Sequence, residues 1–198
     1  MKTISSEKNL PKPSVVEVEK YLNYWKTLEN YTAQEEALNK LFGQLMPKNE
    51  LLSDVLLKAS TLNDFYSTNI FSVYSVAKHI HSLKIDERLA KGDVTLVDDI
   101  QRVIINDKKK NFYSFATKYC SHHNPNEFPI YDSYVDRLLC SLNKEYQFSS
   151  FKRADLRNYQ TFKSVLLDFQ KHFGLEKFDL KQIDCYLWLQ GKELFKKS

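Results

Sequence analysis

Five times in this chain a short polar residue stands three places ahead of an acidic or amide residue at the front of an apolar run. The five are Ser14-Val-Val-Glu17, Thr32-Ala-Gln-Glu35, Thr95-Leu-Val-Asp98, Ser133-Tyr-Val-Asp136 and Asp179-Leu-Lys-Gln182. In such a capping box the first side chain accepts an orphan backbone N–H at a helix start, and the second reaches back to the cap. Behind the boxes, apolar residues recur at helical spacing: Val18, Tyr21, Leu22, Trp25 and Leu28, then Ala37, Leu38, Leu41 and Phe42, with Gly43 set to end that helix. Residues 49–65 and 70–83 carry similar stripes, as do Leu96, Ile100, Val103 and Ile104. After a polar hairpin over 106–111 the period resumes at Phe112, Phe115, Ala116, Tyr119 and Cys120, and stops at Asn124-Pro125. Val135 to Leu142, Leu156 to Phe173 with Gly174 as its stop, and Leu187 with Trp188 complete the set. No stretch of 4–8 residues alternates as a strand, and nothing repeats. The pattern predicts an all-α protein with a loose arm over 1–13 and a single helical domain over 14–198.

Composition narrows the function. Glycine occurs 4 times in 198 residues, which excludes a Walker A loop and a dinucleotide fingerprint, since both need clustered glycines. Residues 101–198 hold 17 basic against 11 acidic groups, so the second half is +6 within a net charge of +4. That bias favours an anionic partner. Three cysteines are too few for a disulfide framework and suit a reducing cytoplasm. No apolar run approaches a membrane span and the N-terminus lacks a signal core, so no membrane partner is expected.

The stretch from 95 to 142 reads as helix, short basic hairpin, helix, loop, then an aspartate at a helix start. With Ile130-Tyr131-Asp132-Ser133-Tyr134-Val135 standing where a "VDTHV"-like segment falls, it resembles the core of the helix-hairpin-helix DNA glycosylases. The polar turn Leu62-Asn-Asp-Phe-Tyr-Ser-Thr-Asn69 is similar to that family's substrate-facing turn, and the likeness covers about 50–195. It implies a glycosylase-like helical fold and nucleic acid, DNA first, as the partner. It implies no cofactor. The family's hairpin uses glycines to bring backbone N–H groups onto a phosphate, whereas here Lys108, Lys109, Lys110 and Asn111 stand without one. Three lysines could supply the phosphate contact electrostatically; the alternative is a solvated charge run in a turn.

The resemblance makes Asp132 the catalytic carboxylate, offsetting positive charge on the sugar as the base departs. Asp132 also suits a helix cap. A hairpin-helix lysine would be the Schiff-base nucleophile, and Lys110 and Lys118 both remain candidates. Tyr66, Asn69, Phe112, Tyr131 and Trp188 are candidates for a pocket that takes an extruded base, with core packing the alternative for each ring. Cys120, His122 and His123 lack the spaced pairs of a zinc site, and His79 and His81 fall on different helix faces, so no metal is expected. A noncatalytic nucleic-acid or protein interaction module on the same fold is the competing function. The oligomeric state is left open by the sequence.

Overall fold

The computed structural model describes residues 10–195, so residues 1–9 of the expected arm lie outside the described residues. The chain is mainly helical. Helices α1 (Val15–Trp25), α2 (Glu29–Lys40), α3 (Leu52–Phe65), α4 (Val73–Ser82) and α5 (Asp86–Ala90) form its first half. After α6 (Leu96–Gln101) come two short strands, β1 (Arg102–Ile105) and β2 (Lys108–Asn111). The second half is α7 (Tyr113–His123), α8 (Ser133–Tyr146), a 3-10 turn (Arg153–Arg157), α9 (Tyr159–Phe173) and α10 (Leu180–Phe195). One hydrophobic core runs through the described residues, with α3 on α4, α6 on α7, and α10 on both α1 and α8. None of these helices is long and apolar enough to cross a membrane.

The capping boxes fare unequally. Ser14 accepts the Glu17 N–H at 3.2 Å, and Asp179 with Gln182 makes both reciprocal bonds at 2.7 and 3.0 Å. Thr32 instead lies inside α2, where its hydroxyl donates to the Leu28 and Glu29 carbonyls. The Thr95 hydroxyl turns outward to Asp93, and the cap of α8 is Asp132 rather than Ser133. Gly43 does not end its helix but sits within a π turn over Leu41–Leu45. Gly174 does end α9, in the left-handed region at φ 65°.

The all-α expectation needs one correction. Val103 and Ile104 leave α6 and pair antiparallel with Lys110 and Lys109, so the basic hairpin is a two-stranded ribbon. Its turn residues Asn106 and Asp107 have φ of 50° and 58°. Both central positions of such a turn need φ > 0, and Asn and Asp tolerate that better than other side chains. This is how the hairpin closes tightly without glycine.

Gly191 sets the approach of α10 to α8. A Cβ there would meet the Tyr134 carbonyl oxygen at 2.8 Å, so only glycine lets the helix press on the backbone beside Asp132.

Candidate active site

Asp132 ends the loop after α7. Its extended backbone and its carboxylate, which accepts the Tyr134 N–H at 2.7 Å, start α8. Facing it is Lys118, mid-way along α7 and 3% exposed. The Lys118 amine donates to Ser114 Oγ at 2.6 Å and reaches the Tyr131 carbonyl at 3.5 Å. Ser114 Oγ donates to that same carbonyl, and Thr117 Oγ1 accepts the Tyr131 N–H at 3.1 Å. Three side chains of α7 therefore hold the loop at Tyr131, and the next residue along is Asp132. Burial pushes the Lys118 amine below the usual lysine range, partly opposed by the Asp132 charge. The amine and the Asp132 carboxylate border the same two cavities, close enough for the carboxylate to favour the amine's charge.

Two adjoining cavities meet at this pair. An outer cleft of about 760 Å³ is bordered by Tyr66 to Thr68, by Asn111 and Phe112 at the end of the hairpin, and by Arg153 and Arg157. An inner pocket of about 300 Å³ is bordered by Trp25, Tyr31, Phe65 and Trp188, with Glu35, Lys181 and Asp184 among them. Tyr66, Ser67, Lys118 and Asp132 border both and form the neck.

The inner pocket is an aromatic box with a polar floor. Trp25 and Tyr31 stack at 5.8 Å between centroids, and the Trp188 ring stands edge-on to Tyr31 at 5.2 Å. Glu35 fixes this wall by accepting the Trp25 Nε1–H at 3.0 Å and pairing with Lys181 at 3.1 Å. The Asp184 carboxyl has no hydrogen-bond partner among the described residues. Burial pushes it up to about 7, against the pull of Lys181. At neutral pH it is therefore present both as acid and as carboxylate, able to donate or accept. Lys181 is held above its ordinary range: burial opposes its charge, but Tyr66, Glu35 and Asp184 outweigh it.

Of the residues singled out in the sequence, Asp132, Lys118 and Tyr66 fall at the neck, Phe112, Tyr131 and Asn111 on the outer cleft, and Trp188 on the inner pocket. Asn69 is an exposed turn residue at φ 57° and borders neither cavity. Lys108, Lys109 and Lys110 are exposed on β2 and also border neither. Sequence reading missed Trp25, Tyr31, Lys181, Asp184 and Ser114. Asp184 had left a signal: it is a charged residue inside the otherwise apolar register of α10, between Ile183 and Leu187.

The Cys120, His122 and His123 group does not converge. Cys120 is fully buried, His122 Nε2 meets the Tyr66 hydroxyl at 3.0 Å, and His123 Nε2 faces Asn49 and Lys58 at 3.2 and 3.3 Å. Among the described residues no cluster of three or more His, Cys, Asp or Glu is arranged to hold a metal ion. His79 and His81 bond to separate backbone carbonyls, of Asp99 and Glu50.

Burial lowers both His122 and His123 from 6.5 to about 3. The unfolded chain then binds more protons than the folded one between those values. Their contribution is full above about pH 6.5 and is lost as pH falls toward 3. At pH 4.5 the loss is expected to be on the order of 2 kcal/mol per ring, read as a lower urea midpoint than at pH 7. A midpoint that does not move over this range, or a His123→Gln variant with the same pH slope as wild type, would contradict the buried-neutral assignment.

The fold and site thus define a mainly helical domain with a carboxylate–amine neck between two cavities, and the family can be stated with it. Residues 17–127 match the model of the HI_0787_N family, described as an N-terminal domain, and the chain belongs to that family. An uncharacterized protein of Haemophilus influenzae is 52% identical over 169 residues, 82% of this chain and 81% of that protein. No solved structure matches the chain. The matched family segment carries Lys118, Tyr66 and Trp25 and stops short of Asp132, so the neck joins this segment to the helices that follow it.

Proposed function

We propose that this protein acts on a base in nucleic acid, DNA first, releasing it from its sugar as the glycosylases it resembles do. The observation that carries this reading is the neck, where Asp132 and Lys118 border the aromatic pocket and the open cleft together. Chemistry on a base requires the base to leave the stack and enter a pocket with flat apolar walls. Trp25, Tyr31 and Trp188 supply such walls, and Asp184 with Lys181 supplies polar groups for the edge of the base. In this reading the base enters the inner pocket and its sugar stops at the neck. As the glycosidic bond breaks, positive charge grows on the sugar, and the Asp132 carboxylate at the neck offsets it.

Lys118, rather than Lys110, takes the nucleophile's role, because Lys110 borders neither cavity. Burial raises its neutral fraction and so makes an electron pair available. Its nitrogen forms a bond to the sugar C1′ while the C1′–N bond to the base breaks. The base leaves with that bonding pair and takes up a proton. The amine then loses its proton, and opening of the sugar ring gives the imine. Water activated by Asp132 is the competing nucleophile and gives simple hydrolysis.

Incubation of the protein with oligonucleotides carrying varied altered bases is expected to give abasic products, and borohydride is expected to trap a covalent adduct. Absence of base release from every substrate would favour the noncatalytic module, a reading that draws on the cap bond Asp132 makes to Tyr134 and on the glycine-free hairpin.

The exposed hairpin gives a separate test. Replacing Lys108, Lys109 and Lys110 together by Ala is expected to weaken DNA binding about equally across sequences. It is also expected to flatten the salt dependence by up to about three units of slope, since roughly one counterion is released per phosphate contact. Unchanged affinity and slope would return these lysines to a solvated turn.

A further inference from the structure

The outer cleft carries a second cationic feature that the reaction at the neck does not use. Arg153 and Arg157 stand four residues apart on the 3-10 turn, and both border the cleft. Arg153 is fixed through Nε to Asp136 Oδ1 at 2.6 Å, while 65% of its side chain remains exposed. Asp136 is 2% exposed and also accepts the Tyr131 hydroxyl. The Arg157 guanidinium lies over the Tyr131 ring, 5.0 Å from its centroid, and forms no ion pair among the described residues.

Burying a carboxylate is costly, and one exposed partner repays little of that cost in stability. What Asp136 does achieve is orientation. It occupies one edge of the Arg153 guanidinium and leaves the terminal nitrogens without a carboxylate partner. Tyr131 does the same for Arg157 by stacking. Two long side chains that would ordinarily be mobile are tethered at the border of the cleft, and no hydrogen bond among the described residues occupies their terminal nitrogens. Such planar forks match the geometry of paired phosphate oxygens. Among the charged groups bordering this cleft, Asp136 is engaged by Arg153, and Asp132 faces Lys118. Arg157 is left uncompensated.

We infer that Arg153 and Arg157 form a seat for a backbone phosphate of the DNA strand that lies in the outer cleft. This rests on the nucleic-acid reading above and deepens it, giving the cleft an anchor of its own besides the hairpin lysines.

The test is binding of a fluorescein-labelled DNA duplex without any altered base, followed by anisotropy as salt is varied. Arg157→Gln breaks no ion pair and is expected to fold as wild type does. It should weaken binding about 3- to 10-fold near 0.1 M salt and reduce the salt slope by about one unit. Adding Arg153→Gln should take the slope loss to about two units. That variant leaves Asp136 with only the Tyr131 hydroxyl, so its melting is measured alongside, and Arg157→Gln stands as a test without it. Lys91→Gln, an exposed charge on the α5 side that borders neither cavity, should leave affinity and slope unchanged.

A slope within half a unit of wild type for Arg157→Gln overturns the seat. So does a seat for free phosphate alone, in which inorganic phosphate raises the melting temperature of wild type but not of Arg157→Gln while DNA affinity is equal. A slope loss with no base release from any substrate keeps the phosphate seat and removes the excision reading. Base release with an unchanged slope does the reverse.

Discussion

Asp132→Asn is expected to lower base release by about 10²–10⁴-fold while leaving DNA affinity within a few-fold of wild type. In the proposed reaction the residue has two jobs that this substitution separates. As N-cap of α8 its side-chain oxygen accepts the Tyr134 N–H, and asparagine keeps an oxygen for that bond with about equal capping strength. The fold and the course of the 124–132 loop should therefore survive. The lost charge cannot be replaced. A neutral amide neither offsets positive charge on the sugar nor takes a proton from water, so the effect should fall on kcat and leave binding nearly intact. Asp132→Ala adds a stability loss of about 1 kcal/mol from the missing cap, visible in a melting curve that Asp132→Asn does not shift. Equal base release by wild type and Asp132→Asn would reduce Asp132 to a cap and end the mechanism drawn here.

Much of the helical framework was legible because helices announce themselves locally. Ser14 and Asp179 cap as their spacing says, Gly174 stops α9, and the stripes at 49–65 and 70–83 become α3 and α4. Where a cap was misread, a competing bond explains it. The Thr32 hydroxyl found carbonyls inside α2, and Thr95 found Asp93. Beside Ser133 stood Asp132, a stronger acceptor one position earlier. The β-ribbon was hidden for a different reason. Four residues of Arg-Val-Ile-Ile continue the helical period of α6 well enough, and only the turn at Asn106 and Asp107 fixes them as a strand.

The site was legible in its chain-local part and not elsewhere. Asp132, Lys118 and Tyr66, which border both cavities, could be singled out because they lie in or beside short motifs. Trp25, Tyr31 and Asp184 come from α1, the start of α2 and α10, and meet only through packing. That packing depends on long-range contacts such as the approach of Gly191 to the Tyr134 backbone, which no window along the chain records. The choice between Lys110 and Lys118 was open in sequence because they lie 22 and 14 residues before Asp132, on either side of the spacing usual in the family the chain resembles. Strand register and helix packing decide where they go: Lys110 pairs with the buried Val103 but lies on the exposed strand β2, while Lys118 enters the core side of α7.

Lys118→Gln is expected to abolish the borohydride-trapped adduct altogether and to reduce base release by about 10²–10⁴-fold if the amine is the nucleophile. Glutamine retains a donor long enough to address Ser114 Oγ, so the contacts that hold the Tyr131 loop need not collapse. Lys118→Arg sharpens the test. It keeps a positive charge beside Asp132, yet a guanidinium stays protonated throughout the working pH range and offers no electron pair. If Lys118 acts only by its charge, arginine should restore much of the lost activity; if it acts as nucleophile, arginine should be as poor as glutamine. The pH profile adds a check with a definite sign. Burial lowers the amine below 10.5, so the activity of wild type should rise with pH over a range below that of an exposed lysine. Lys110→Gln should leave trapping and base release unchanged at saturating DNA, because its side chain borders neither cavity. Trapping that persists in Lys118→Gln and vanishes in Lys110→Gln would transfer the chemistry to the ribbon. Base release without trapping in any form, wild type included, would leave Asp132 and water as the hydrolytic pair.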